Sequence, residues 1–178
     1  MAGRFPVWGV LEPGAKSAGL RSVSGNIGVL ATPGTIESGR YEEEILRVRP
    51  QARIYSRAAA LLVPLAEEGY TEGPIVNAVL SEYLAPMRET NIDTLVLGCT
   101  HYPLLAPAIA SWFQERNHPI QIVDSALATA EAVAAAASTP DAVAKGSLSV
   151  MVTDGGTRFR NIATRFLGTD PRIQEIDL

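Results

Sequence analysis

The chain has 178 residues, 47% hydrophobic and 19% charged, enough for one well-packed domain or two small ones. Its formal charge of -4, with 15 lysines and arginines scattered along it, supplies no basic stripe to neutralise a phosphate backbone, so nucleic acid is not an expected partner. A single cysteine excludes an internal disulfide, the opening "MAGRFPVWGVLEPG" has prolines where a signal peptide needs its apolar run, and no apolar stretch is long enough to cross a bilayer, so the expected location is cytoplasmic.

In chain order, "PVWGVL" (6–11) predicts a strand and "NIGVLA" (26–31) a second, followed by the turn "ATPGTIES" (31–38) and a helix over 38–48. "ARIYS" (52–56) predicts the next strand. Ile75, Val79, Tyr83 and Met87, beside Val76, Leu80 and Leu84, form an i, i+4 stripe that predicts an amphipathic helix over 72–88. "DTLVLG" (93–98) and "IQIVD" (120–124) read as strands around a helix over 103–115. The alanine-rich "SALATAEAVAAAA" predicts a helix over 125–137, "LSVMVT" (148–153) a last full strand, and Phe159, Ile162, Ala163, Phe166 and Leu167 a helix over 157–167. Most of these strands are apolar on both faces, which predicts an α/β fold: a buried parallel sheet flanked by helices.

Between 125 and 146, "AAAASTPDAVAKGS" is small, polar and turn-rich, a soft boundary. One strand, one helix and the short end "RIQEIDL" follow, too little to enclose a core, so this tail is expected to add to a sheet built elsewhere.

Reactive groups in such sheets gather past the carboxyl ends of strands. Cys99 lies there, after "DTLVLG" and before a helix that Pro103 can open. A helix N-terminus and an imidazole nearby favour a thiolate. Thr100 adds a hydroxyl and His101 a titratable ring. The structural alternative makes Cys99 a small buried apolar residue and His101 a cap. In "ATPGTIES", Thr32 and Thr35 offer hydroxyls and amides to an anion such as a carboxylate, or else Thr35 or Ser38 simply caps the helix. "DGGT" (154–157) lacks the lysine and spacing of a phosphate loop and reads as a turn with an N-cap. In "VPLAEEG" (63–69), Glu67 sits nearer the apolar run than Glu68 and is the better candidate for a site carboxylate; His118 reads as a loop residue.

Together "NIGVLATPGTIESGRYEEEI", "LLVPLAEEG" and "DTLVLGCTHYPLL" resemble successive signatures of the glutamate racemase family, within the aspartate/glutamate racemase superfamily. The resemblance runs from "PVWGVLEPGAKSA" to the end, and "LGCTHYPLL" is its most specific part. It implies cofactor-independent interconversion of L- and D-glutamate, the D-form serving peptidoglycan and so the cell wall and cell shape. It also implies an active site between two α/β domains, with two cysteines facing opposite sides of the substrate α-carbon. Cys99 matches the second cysteine, His101 and Glu67 the groups that assist it, and Thr32, Thr35, Thr100 and His101 the substrate contacts. No cofactor or metal is implied; glutamate is the expected partner, no membrane is involved, and self-association into a homo-oligomer is compatible with the family.

Inverting a carbon by deprotonation needs a base on one face and an acid on the other. The "DSGxGG" and "CNTAS" motifs of the family, the latter bearing the first cysteine, are absent from these residues. The expectation is therefore a racemase sequence shortened at its front and inactive alone. Residues 1–125 would be the second α/β domain carrying Cys99, and residues 126–178 the segment that normally completes the first. Two other readings are a non-catalytic binding or assembly module and a Cys-His acyl-transfer enzyme with Cys99 as nucleophile.

Overall fold

A computed structural model describes residues 7–136 and 148–177. The chain divides into two compact units, Met1–Ala137 and Ser138–Leu178. In the first, strands β1 (Asn26–Ala31), β2 (Arg53–Ala58), β3 (Thr94–Gly98) and β4 (Gln121–Asp124) form a sheet in the order β2-β1-β3-β4. All three pairings are parallel. The helices are α1 (Leu11–Arg21), α2 (Pro33–Glu37), α3 (Arg40–Val48), α4 (Leu62–Glu68), α5 (Pro74–Arg88), α6 (Ala106–Gln114) and α7 (Ser125–Ala136), with a 3-10 turn at Tyr102–Leu105 before α6.

Strand alternation sorts the core into two faces. Ile27, Val29 and Ala31 of β1, with Val96 of β3 and Val123 of β4, pack with Ala15 and Ala18 of α1 and Tyr41 and Ile45 of α3. Leu30, Leu95 and Leu97 point the other way, into Leu62 and Ala66 of α4, Val76, Leu80 and Leu84 of α5, and Ile109 and Phe113 of α6. The middle of β1 and β3 is apolar on both faces because both are covered, as a parallel sheet requires, while the edge strand β2 carries Ser56 and Arg57 and is only partly buried.

One expected strand is corrected. Of 6–11, residue 6 lies outside the described residues, residues 7–9 have no regular structure, and Leu11 opens α1. Val7 and Val10 are exposed, so this apolar run has no sheet edge to join. Pro13 fits the first turn of a helix, where its missing N–H costs nothing. The face that α1 buries consists of Gly14, Ala15, Ala18 and Gly19, side chains too small to register as an apolar stripe. The helices expected over 72–88 and 157–167 form, the one over 38–48 starts at Arg40 behind the Gly39 cap, and the one over 103–115 divides into the 3-10 turn and α6. Residue 137 of the alanine-rich helix lies outside the described residues, as does most of the soft boundary after it; α7 packs on α1, β3 and β4.

In the second unit, β5 (Val150–Val152) and β6 (Ile173–Glu175) pair in parallel around α8 (Thr157–Leu167). α8 buries none of its residues. "DGGT" is a turn and cap: Gly155 N–H donates to the Glu175 carboxylate at 3.0 Å, Gly156 N–H to Asp154 at 3.3 Å, and Gly156 is the N-cap of α8. Amides already turned onto carboxylates do not offer a phosphate cradle.

Candidate active site

From β1 the chain steps outward to β2, then crosses back to place β3 on the other side of β1. That reversal opens a crevice past the carboxyl ends of β1 and β3, where open α/β sheets place their ligands. Ala31 and Gly98 are register partners, so Thr32 and Cys99 are the first residues beyond the paired ends. Two of the sequence candidates, 67 positions apart in the chain, thus become neighbours in strand order.

Cys99 is half-buried and its thiol is free. The turn behind it is anchored from below by Tyr102, whose buried hydroxyl donates to the Ala59 carbonyl at 2.8 Å. Burial pushes the Tyr102 hydroxyl pKa upward, and the charges of Cys99 and Tyr83 add to the rise. Tyr102 N–H bonds the Cys99 carbonyl at 3.2 Å and Leu104 N–H the His101 carbonyl at 3.2 Å, closing the tight turn that presents residues 99–101.

His101 is held from both sides of its ring. Its Nε2 lies 3.3 Å from Oε1 of Glu67, each side chain about one quarter exposed (25% and 26%). Its Nδ1 lies 3.3 Å from the Thr100 hydroxyl. A carboxylate only accepts, so the contact with Glu67 favours the proton on Nε2. Nδ1 then accepts from Thr100 in the neutral ring and donates to it in the charged one. Glu67 reaches this position from α4, a helix that reading by period alone omits; it ends on Gly69, whose φ of 83° closes the last turn. Glu68, one residue on, is exposed.

Thr32 and Thr35 bond each other, their hydroxyl oxygens 3.0 Å apart. Thr32 occupies the N-cap of α2 without a side-chain cap bond. Local capping falls to Ser38, whose hydroxyl donates to the Thr35 carbonyl at 2.7 Å. The two threonines are therefore not spent on the helix.

A cavity of about 70 Å³ adjoins the thiol, lined by Val10, Tyr41, Gly98, Cys99, Thr100 and Ser125 among others. Ligand pockets run to roughly 300–1,000 Å³, so this one is a recess in a wall and encloses no amino acid. The His101–Glu67 and Thr32–Thr35 pairs are not among its lining residues. Tyr41 and Ser125, which are, escaped the sequence reading. Ser125 had a signal: "VDS" ends one strand and opens a helix, beside the strand that carries Cys99. His118 is a loop residue whose Nε2 lies 2.7 Å from the Ile92 carbonyl. Among the described residues, no group of three or more His, Cys, Asp and Glu side chains could hold a metal ion.

Fold and site together define an α/β protein with a thiol, a carboxylate-backed imidazole and paired hydroxyls at the switch point of a parallel sheet. The sequence model of the Asp/Glu/Hydantoin racemase family matches residues 2–133. The chain belongs to that family. It is 41% identical over 168 residues to a glutamate racemase of Geobacter metallireducens, covering 92% of this chain and 61% of that protein. Among solved structures it is similar to a glutamate racemase isoform of Bacillus anthracis, with a TM-score of 0.86, 32% identity, and coverage of 99% of this chain and 66% of that one. It is also similar to the Francisella tularensis glutamate racemase solved with D-glutamate, with a TM-score of 0.84, 29% identity, and coverage of 99% and 65%. The chain thus spans between 61% and 66% of the length of these three proteins.

Proposed function

We propose that this chain supplies one face of a cofactor-independent glutamate racemase centre, with Cys99 as the base on that face. The observation that carries the reading is a thiol just past the paired ends of β1 and β3, two residues from an imidazole that meets a carboxylate, in a chain of this family. In the forward step the Cys99 thiolate takes the α-proton of glutamate, the C–H electron pair stays on carbon, and the thiol forms. Thr32, Thr35 and Thr100 are the proposed hydroxyl contacts of the substrate carboxylate and amino groups. Donors of this kind stabilise the carbanion-like transition state, and His101, oriented by Glu67, assists the thiol. Inversion then needs an acid on the far face of the carbon, and these residues hold a single thiol.

The shallow recess beside Cys99 supports a two-walled site in which this unit is one wall. We assign the second unit the task of completing another α/β domain, in keeping with a helix that buries no residue, while α7, residues 126–136 included, packs within the first unit. D-glutamate for peptidoglycan synthesis in the cytoplasm is the role that follows from this reading. Among the described residues no helix is long and apolar enough to cross a membrane.

Incubation of the 178-residue chain with L- and D-glutamate in deuterated water tests the proposal. The expected result is deuterium at the α-carbon of one enantiomer, without inversion, and its loss in Cys99→Ala. Exchange that survives Cys99→Ala, or no exchange with either enantiomer, overturns the assignment of the base; net racemisation by this chain overturns the one-sided mechanism.

A further inference from the structure

Beside the thiol lies a buried polar pair with no part in the chemistry above. Tyr41 of α3 is 4% exposed and Ser125, at the start of α7, 6%. Their hydroxyl oxygens are 2.9 Å apart, and Ser125 donates onward to the Leu97 carbonyl at 3.1 Å. A carbonyl has no proton to give, so Ser125 spends its own hydrogen on Leu97 and Tyr41 must donate to Ser125. The bonds form a directed chain from the α3 phenol to the backbone of β3 two residues before Cys99.

Two glycines let this chain sit where it does. A Cβ on Gly98, the residue next to Cys99, would lie 2.8 Å from Cε2 of Tyr41 and 3.0 Å from Cβ of Ala31. The ring therefore rests directly on the backbone leading to the thiol. A Cβ on Gly14 would lie 2.5 Å from Oγ of Ser125, so α1 closes over the serine from the other side. The backbone just ahead of Cys99 is thus fixed by contacts from α1, α3 and α7 at once.

We infer that Tyr41 and Ser125 form a single positioning device for Cys99, holding the end of β3 so that the thiol keeps one orientation toward the crevice. Burial raises the Tyr41 pKa, the bond to Ser125 opposes the rise, and the charge of Cys99 adds to it, which places phenol and thiol within electrostatic reach. The device is assigned no contact with substrate. Its effect passes through the placement of Cys99, where displacements of an ångström are costly. The inference rests on the reading of Cys99 as the base, but its first test does not.

Because the chain has one cysteine, iodoacetamide reports on Cys99 alone. Tyr41→Phe removes only the hydroxyl and Ser125→Ala only its partner. Each should alkylate about threefold or more faster than the parent as the strand end loosens, and the double variant should match the faster single within about twofold, the mark of one coupled unit. Ile45→Val, a trimmed core contact in the same cluster, lowers the melting temperature without touching the strand end and should leave the rate unchanged.

Rates in both single variants within about threefold of the parent would overturn the inference, as would singles whose effects multiply or an Ile45→Val rate that rises equally. Where the parent exchanges the glutamate α-proton, kcat of each variant should fall about tenfold with KM held within about twofold; an unchanged kcat there also overturns the inference. A parent that fails to exchange removes the proposed function and leaves the alkylation series to decide on the positioning device.

Discussion

The two ends of the first unit's sheet are built on opposite principles. At the amino end, Asp93 precedes β3 and accepts from the Ser22 hydroxyl at 2.6 Å, the Val23 and Ser24 amides at 2.8 and 2.5 Å, and the Thr94 hydroxyl at 2.9 Å. Arg49 adds donors to the Ser22 and Val23 carbonyls of the same loop. At the carboxyl end, the His101 ring is held by contacts of 3.3 Å on each nitrogen, the thiol is half-exposed, and the two threonines satisfy each other. One carboxylate is saturated with short bonds; the other, Glu67, faces a ring at longer range. In the proposed function the carboxyl-end groups exchange protons and meet a substrate, and such groups cannot be bonded as tightly as one that only ties a loop to a strand. On the proposed function, the difference separates anchoring from chemistry at the two ends of one short strand.

The largest effect that can test this contrast belongs to the carboxyl end. Glu67→Gln keeps the shape but withdraws the charge that favours the Nε2 proton of His101. Glutamate α-proton exchange should fall by about 10²-fold, a typical share for one acid–base partner. Stability should move by no more than about 0.5 kcal/mol, since both groups are partly solvated. The measurements are deuterium incorporation and a urea midpoint on the same preparation. A variant that loses stability and keeps exchange would make Glu67 an anchor like Asp93 and erase the distinction.

The converse substitution comes next in size. Asp93→Ala strips the partners from two hydroxyls and two amides at the amino end. Because water reaches this loop, the cost should be about 1–2 kcal/mol, read as a lower urea midpoint. The alkylation rate of Cys99 should not change, because the middle of β3 is locked into both core faces through Leu95, Val96 and Leu97. A parallel change in Cys99 reactivity would show that the two ends are coupled through the strand.

How much of this was readable beforehand follows from the physics of each piece. The strands β1, β3 and β4 were legible because both faces of the sheet are covered and their central residues are apolar in succession. Cys99 was legible as a strand-end group from "DTLVLGCTHYP" alone. α1 was hidden because close packing selects Gly14, Ala15, Ala18 and Gly19, whose small size carries little hydropathy. The approach of Glu67 to His101 came from family resemblance and not from spacing, since α4 is a single short helix of 7 residues with a proline inside. Tyr41 and Ser125, 84 positions apart, meet only through strand order and register, which local pattern does not encode.

The smallest effect is the pH dependence of the amino-end anchor, and its sign follows from the bonds. Burial pushes the Asp93 carboxyl upward, but hydrogen bonds from Ser22, Ser24 and Thr94 outweigh it and hold the pKa at about 2, against an ordinary 3.8. A carboxylate depressed by folding contributes stability that is complete above the unfolded value, and loses it as pH falls through the folded one. The contribution should be intact at pH 5, decline below about 4 and be gone only below about pH 2. Discounted for solvent at a partly exposed site, it is worth about 1 kcal/mol or less. Urea midpoints at pH 5 and about pH 1.5 for the parent and Asp93→Asn isolate it: the amide does not titrate, so the two curves should lie apart at pH 5 and converge at the lower pH. A gap that stays constant would mean the bonds to Asp93 act without its charge, making the anchor a matter of shape alone.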